Sequence, residues 1–485
     1  MVFSSHLFVF YFLPVALVVY YLLPRRLRNL GLVVLSYGFY GWANPAFMIL
    51  MMFSTVVDFL CGLAIAGRLG RGWRQPLETL PIGGERSTGQ KLAVGVSVVT
   101  NLSLLGFFKY FNFSVDSYNT LIGWLGLTGL QLDSVLRVAL PLGISFYTFQ
   151  SMSYTIDVFR GRATALGNFV DFACYVSLFP QLVAGPIVRF AEIEDQLRGR
   201  RETVEKFARG VAFFSLGLAK KVLLANPCGK VADTVFDAGS VVAVDAWYGA
   251  LAYALQIYFD FSGYTDMAIG LALMLGFVLP KNFDSPYKAE SITDFWRRWH
   301  MSLSNWLRDY LYLPLGGNRK GPRRTYINLL LVMLLGGLWH GAAWNFLVWG
   351  GFHGLLLAVE RTRSKRSLFA PLPRPLRVAG TFLLVLVSWV IFRSDTLSNA
   401  GAMLASMVGL GARGEGSLLV SGIVAQPYYL GTVAVAAVVA WGAPQTWDWT
   451  RSLPWWRALI CLGLLWASLV ALTTQSFNPF IYFIF

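Results

Sequence analysis

Residues 327–360 read INLLLVMLLGGLWHGAAWNFLVWGGFHGLLLAVE, and the only acidic or basic chain in them besides two histidines is Glu360, the last residue. A helix needs about 20 apolar residues to cross a hydrocarbon core. Two apolar runs, 327–343 and a shorter 346–360, follow each other here and predict a pair of membrane helices. Just before them, GGNRKGPRR at 316–324 is a glycine-rich basic loop. Outward from this pair the alternation of apolar run and basic loop continues. Runs at 7–23, 28–43, 46–66, 92–110, 137–156, 207–225, 246–276, 378–393, 428–442 and 457–473 bring the predicted spans to about twelve. Segment 169–188 is apolar as well, but Pro180, Gly185 and Pro186 lie within it. Such residues interrupt a helix, so it is predicted to be re-entrant and buried among other helices.

Composition agrees. Of 485 residues, 56% are hydrophobic and 13% charged, where soluble domains carry about 25% charged residues. That is too little charge to coat several soluble domains, and the aromatic content excludes a disordered chain. The fold class predicted is an all-α membrane protein, a polytopic bundle with re-entrant and amphipathic interfacial helices. The first run is followed by Arg25, Arg26 and Arg28 and lacks a small-residue cleavage site, so it reads as a retained span. Cys61, Cys174, Cys228 and Cys461 show no paired spacing, which predicts neither a disulfide framework nor a metal knuckle.

The net charge of +15 would suggest nucleic acid in a soluble protein; in a membrane protein it reports topology. With the N-terminus outside, the loops near 24–28, 67–91, 157–206, 277–326, 361–377 and 443–457 hold 32 of the 40 Lys and Arg residues. This places both termini outside and predicts no nucleic-acid partner. The longest inside segment contains TDFWRRWHMSLSNWLRDYLYL at 293–313. Phe295, Trp296, Trp299, Leu303, Trp306, Leu307, Tyr310 and Leu311 recur at helical steps, with Arg297, Arg298, Arg308 and Asp309 largely off that stripe. The pattern predicts one amphipathic helix, serving as an interfacial anchor or a cavity floor.

The scarcity of charge makes the four histidines informative. His6 lies at a start that looks disordered and is read as incidental, whereas His300, His340 and His353 fall within 54 residues. His340 sits in a span among Gly336, Gly337 and Gly341, which mark close packing, a kink or ligand approach. An ionisable group there is a functional candidate by default; the alternative is an interhelical hydrogen bond. His353 fits packing as well as ligation. No HExxH or CxxC accompanies these histidines, and no G-x-S-x-G elbow is present, so metal and serine-triad chemistry are weakly indicated. Direct general-base catalysis fits better, because a desolvated imidazole stays neutral and can take a proton from an attacking hydroxyl or thiol. Asp260 and Asp266, about 120° apart on an ideal helix, are predicted to pair with arginines or cap broken helices. Lys220 and Lys221 must snorkel, pair or line water. The 316–324 loop could meet anionic lipid headgroups or the phosphates of a cytosolic donor.

The run NFDSPYKAESITDFWRRWHMSLSNWLRDYLYLPLGGNRKG, followed by LLGGLWHGAAWNFLVWGGFHG, resembles the membrane-bound O-acyltransferase family, most of all its bacterial alginate O-acetylation branch. YFDFSGYTDMAIG, SLFPQLVAGPIVRF, GISFYTFQSMSY, FKYFNF and the N-terminal MVFSS are similar too, so the likeness covers nearly the whole chain and is least distinctive after about residue 395. It implies one membrane-embedded domain over 1–485 with a catalytic core near 140–360. The family's invariant histidine falls on His340 and its second conserved polar position on His300. The resemblance further implies a donor thioester on the cytosolic side, acetyl-CoA in this branch, and no bound cofactor. It also implies an inner-membrane location and a periplasmic SGNH-hydrolase-like partner within a polysaccharide synthesis and export complex, the polymer being one such as alginate or cellulose.

On this reading His340 is the general base and His300 positions the donor or relays a proton. Trp296, Arg297, Arg298, Trp299 and Trp339 shape a substrate tunnel, with Asn305, Arg308 and Asp309 as further candidates. Thirteen residues into an outward-running span, His340 is expected roughly 20 Å along its helix. The two histidines are therefore expected at different depths, joined by the tunnel. A transporter or a scaffold of a secretion complex is the competing class.

Overall fold

The computed structural model describes residues 2–42, 44–68, 77–132, 135–363, 367–411, 417–475, 477–479 and 481. Among these residues it is helical, with no strand. The chain divides into two compact units, one of residues 7–203 with 275–279, the other of residues 2–6, 204–274 and 280–485.

The first unit contains α1 (Leu13–Leu22), α2 (Arg28–Gly41), α3 (Pro45–Ile65), α4 (Thr88–Trp124), α5 (Ile144–Arg160), α6 (Phe169–Ser177), α7 (Phe179–Leu182) and α8 (Phe190–Arg198). The second contains α9 (Val204–Ala219), α10 (Asn226–Phe236), α11 (Ala243–Met274), α12 (Ile292–Arg298), α13 (Met301–Leu307), α14 (Gly321–His340), α15 (Trp344–Thr362), α16 (Arg374–Arg393), α17 (Leu397–Met407), α18 (Ser417–Val424), α19 (Pro427–Gly442), α20 (Thr446–Trp449) and α21 (Trp455–Thr474).

Every predicted apolar run falls on helix. The largest boundary differences are at 92–110, which lies inside the 37-residue α4, and at 137–156, where Gly143, at φ +72°, delays the start of α5 to Ile144. A side chain at Gly143 would press on the Leu182 carbonyl oxygen. By length and composition alone, four helices among the described residues can cross a membrane: α3, α4, α16 and α21. The pair α18 and α19, bent by 63°, makes a fifth if taken as one span. The number twelve is not reached by that measure, and α11 shows why. It is 32 residues long and buried continuously from Ala252 to Met274, so it carries Gln256, Asp260 and Asp266 without meeting lipid.

In the first unit, segment 169–188 breaks where its prolines and glycine predict. Leu178 leaves the helical region before the short α7, and residues 172–188 are buried. Backbone groups released by the break find partners: Phe179 N–H donates to Ser36 Oγ (3.0 Å) and Gln181 Nε2 to the Tyr175 carbonyl (2.6 Å).

In the second unit, α9 and α11 meet through glycines seven residues apart on each. A side chain at Gly217 would strike the Gly263 carbonyl, and one at Gly210 the Gly270 carbonyl. This is the small-residue contact that lets helix backbones touch. It brings Lys220 to 2.6 Å from Asp266 and Lys221 to 2.8 Å from Asp260. The partners of the two aspartates are lysines, not the arginines expected. The N-terminal residues are ordered, contrary to expectation: Phe3 stacks on Tyr264 at 4.5 Å and Asn478 Nδ2 donates to the Ser4 carbonyl at 2.7 Å, although His6 is exposed.

Candidate active site

α14 and α15 form an antiparallel hairpin whose contact is set by glycines. A side chain at Gly337 would land on the Phe346 carbonyl, one at Gly350 on the Met333 carbonyl, and one at Gly341 on the Phe346 ring. Close packing is thus what the glycines around His340 provide. His340 is the last residue of α14 and is buried. Its ring centroid lies 5.1 Å from that of Trp339, 5.3 Å from Trp349 and 5.6 Å from Phe392.

His300 reaches the same place by a route the periodicity of 293–313 does not show. The predicted single helix is two: α12 ends at Arg298, and His300 itself takes the left-handed conformation (φ +43°, ψ +53°) before α13. A non-glycine residue held there costs about 1–3 kcal/mol, so the surroundings must enforce it. They do so through segment 282–284. Met301 N–H donates to the Asn282 carbonyl (2.9 Å), Asp284 N–H to the Arg298 carbonyl (2.9 Å), and Ser302 N–H to Asn282 Oδ1 (3.1 Å). Trp299 is locked beneath, 5.0 Å from both Phe283 and Trp389.

The His300 ring is fully buried, edge-on to Phe261 at 4.6 Å, with Nδ1 3.2 Å from Asn282 Oδ1 and with Nε2 lacking a hydrogen-bond partner among the described residues. Burial pushes its pKa well below the usual histidine range, and the nearby His340 adds to the effect, so the ring is neutral at pH 7. The His300 and His340 ring centroids are 6.2 Å apart. This corrects the expectation of two depths joined by a tunnel. The segment bearing His300 folds inward to meet the end of α14.

The other predicted residues separate into two groups. Trp339 and Trp299 are buried beside the histidines. Trp296 donates its Nε1–H to His353 Nδ1 (3.3 Å). His353 Nε2 then donates to Ser388 Oγ (3.0 Å), whose hydroxyl donates to the Val385 carbonyl (2.7 Å). With both nitrogens partnered and its ring stacked on Phe295, His353 takes the packing role. Arg297 is exposed, Arg298 pairs with Asp294 (2.9 Å), Arg308 pairs with Asp309 (2.8 Å), and Asn305 is half-buried on α13. The sequence reading missed Asn282, Phe261, Trp349 and Phe392. Asn282 stands inside the quoted NFDSPY run and Trp349 in WGGFHG, but neither has a charge or spacing that marks it. A cavity of about 350 Å³ is lined by Tyr253, Gln256, Asn345, Phe346, Phe392 and Arg393 among others; of these, Phe392 packs on the His340 ring.

Comparison with known proteins gives the family. A model of the MBOAT, membrane-bound O-acyltransferase family, matches residues 135–392, which hold both histidines. "Probable alginate O-acetylase AlgI" of Pseudomonas putida is 44% identical, with all of both chains covered. "Peptidoglycan O-acetyltransferase" of Helicobacter pylori is 38% identical over 84% of this chain and 80% of the relative. "Teichoic acid D-alanyltransferase" of Streptococcus thermophilus is 29% identical over 52% of this chain and 68% of the relative. These relatives are enzymes, which sets aside the transporter and scaffold readings. The chain is a multi-pass membrane protein that belongs to the membrane-bound O-acyltransferase family, in its alginate O-acetylase-like branch, and it is a membrane-bound O-acetyltransferase.

Proposed function

We propose that the protein moves an acetyl group from a cytosolic thioester, acetyl-CoA, across the bacterial inner membrane for O-acetylation of an exported polysaccharide such as alginate or cellulose. A periplasmic SGNH-hydrolase-like partner completes the modification, and both termini face the periplasm. The observation that carries this reading is the contact between two buried imidazoles, 6.2 Å apart inside an aromatic shell. The relatives named for alginate, peptidoglycan and teichoic acid support an exported polymer as the final acceptor.

In the transfer step the acceptor hydroxyl oxygen attacks the acyl carbon, the C–S bond breaks, and the thiolate leaves. His340 takes the hydroxyl proton and returns it to the thiolate, with His300 assisting; no covalent enzyme intermediate is required. The exposed Arg319, Lys320, Arg323 and Arg324 suit the donor's phosphates or anionic headgroups. The cavity bordered by Phe392 suits the acceptor's approach.

The test is thioester turnover by purified protein in nanodiscs, with polymer acetylation in cells. His340→Ala should retain wild-type protein level and lower thiol release from acetyl-CoA by about 10²–10⁴-fold, the range for losing a general base. Full polymer acetylation in that variant would overturn the assignment.

A further inference from the structure

Three atoms converge on Asn282 Oδ1. Ser302 N–H lies 3.1 Å away, Ser302 Oγ 2.9 Å and His300 Nδ1 3.2 Å. A backbone nitrogen only donates, so the atom it meets is the amide oxygen; the reversed amide would set its NH2 group against that N–H. An amide oxygen only accepts. His300 Nδ1 therefore carries a hydrogen. An imidazole buried among Phe261 and Trp339 is neutral, and a neutral imidazole has a single N–H. Nε2 is left as a bare lone pair, buried and without a hydrogen-bond partner among the described residues.

We infer that Asn282 is a positioning residue that fixes the tautomer of His300, so that Nε2 meets the reacting groups only as a proton acceptor. The consequence for chemistry is an exclusion. Nε2 cannot donate a hydrogen bond to the thioester carbonyl or to the oxyanion that develops there, because its lone pair would repel both. What it can meet is an O–H or N–H: the attacking hydroxyl, or the His340 ring beside it. In the transfer step His300 thus assists only as an acceptor: it takes up the proton that His340 removes from the hydroxyl, and the proton returns through His340 to the leaving thiolate. The left-handed backbone of His300 serves the same end, because the segment that supplies Asn282 Oδ1 also holds that strained turn through the Met301 to Asn282 backbone bond. The tautomer follows from geometry alone; its catalytic use rests on the proposed acyl transfer.

With only four histidines in the chain, the tautomer can be observed directly. Full-length protein labelled with ¹⁵N-histidine in nanodiscs, assigned with single His→Gln variants, should show His300 protonated at Nδ1 and bare at Nε2. In Asn282→Leu this signal should change to the other tautomer or to a mixture, and acetyl transfer should fall about tenfold or more with the KM for acetyl-CoA within about twofold. Asn282→Asp keeps an acceptor oxygen and should restore both. His353, whose two nitrogens are partnered elsewhere, reports in each spectrum whether the fold is intact. A wild-type His300 protonated at Nε2 overturns the inference without any variant being made, and so does an Asn282→Leu protein whose His300 tautomer is unchanged. A changed tautomer with undiminished transfer leaves the positioning intact and overturns the proton-accepting role.

Discussion

Gly337 precedes His340 by three residues and has no space for a side chain, since a Cβ there would occupy the Phe346 carbonyl. Gly336, its neighbour, meets only the flexible tip of Leu307, at 3.4 Å. Overpacking a tight contact costs about 1–3 kcal/mol, and here it must push α14 from α15 at the end that carries His340. Gly337→Ala should therefore lower the unfolding temperature in detergent and abolish most acetyl transfer, while Gly336→Ala leaves both near wild type. Equal tolerance of the two would mean that the hairpin contact does not set the His340 position. The same residues show what a sequence can disclose. His340 and His300 stand out because ionisable groups are rare in an apolar chain. Asn282 does not, because a polar residue in a loop gains its meaning from the chain that folds against it, here Ser302 and His300 twenty and eighteen residues on.

Helix α12 is seven residues long and too short to persist by itself. Its start is held by Glu360, a buried carboxylate of α15 that accepts Ile292 N–H (2.8 Å), Thr293 N–H (2.9 Å) and the Thr293 hydroxyl (2.7 Å). Losing a cap costs about 0.5–2 kcal/mol, and each buried donor left unpaired about 1–3 kcal/mol more. Glu360→Ala should destabilise the protein by about 2 kcal/mol or more in chemical unfolding and reduce transfer, because α12 leads directly into His300. Glu360→Gln, which retains one acceptor, should fall between; an alanine variant as stable as wild type would remove the cap from the account. A second element contact makes a similar forecast. Lys221 and Asp260 are both almost inaccessible, and removing one member of such a pair costs about 3–5 kcal/mol, whereas replacing both can be near neutral. Lys221→Met should thus unfold at a lower temperature than Lys221→Met with Asp260→Leu, even though Asp260 also receives Ile481 N–H (3.0 Å). Apolar periodicity located nearly all of these helices. It failed over 293–313 because Phe295 and Trp299 before the break and Leu303 and Trp306 after it are all buried, so the stripe continues through a turn that its hydrogen bonds have left.

At the scale of the whole chain, charge counting assigns each loop to a side but not to a depth. Segment 277–326 holds nine basic residues, and that count assigns it to the inside, yet Asn282, Tyr287, Trp299 and His300 within it are buried in the second unit. Its exposed charges, Arg297, Arg308, Arg319 and Lys320 among them, alternate with these buried residues, and a count of charge registers only the former. The proposed orientation can still be tested at these exposed positions. The four cysteines, Cys61, Cys174, Cys228 and Cys461, are free and buried, so the native protein supplies an almost unlabelled background for a membrane-impermeant maleimide. Arg319, Thr128 and Asp395 are exposed. With both termini periplasmic, Thr128→Cys and Asp395→Cys should label in cells whose outer membrane alone is permeabilised, and Arg319→Cys only after the inner membrane is opened. The positive-inside rule makes Arg319 the firmest of the three, since it lies among four basic residues within 319–324. Labelling of Arg319→Cys from the periplasmic side would invert the topology and place the thioester donor on the wrong face of the site.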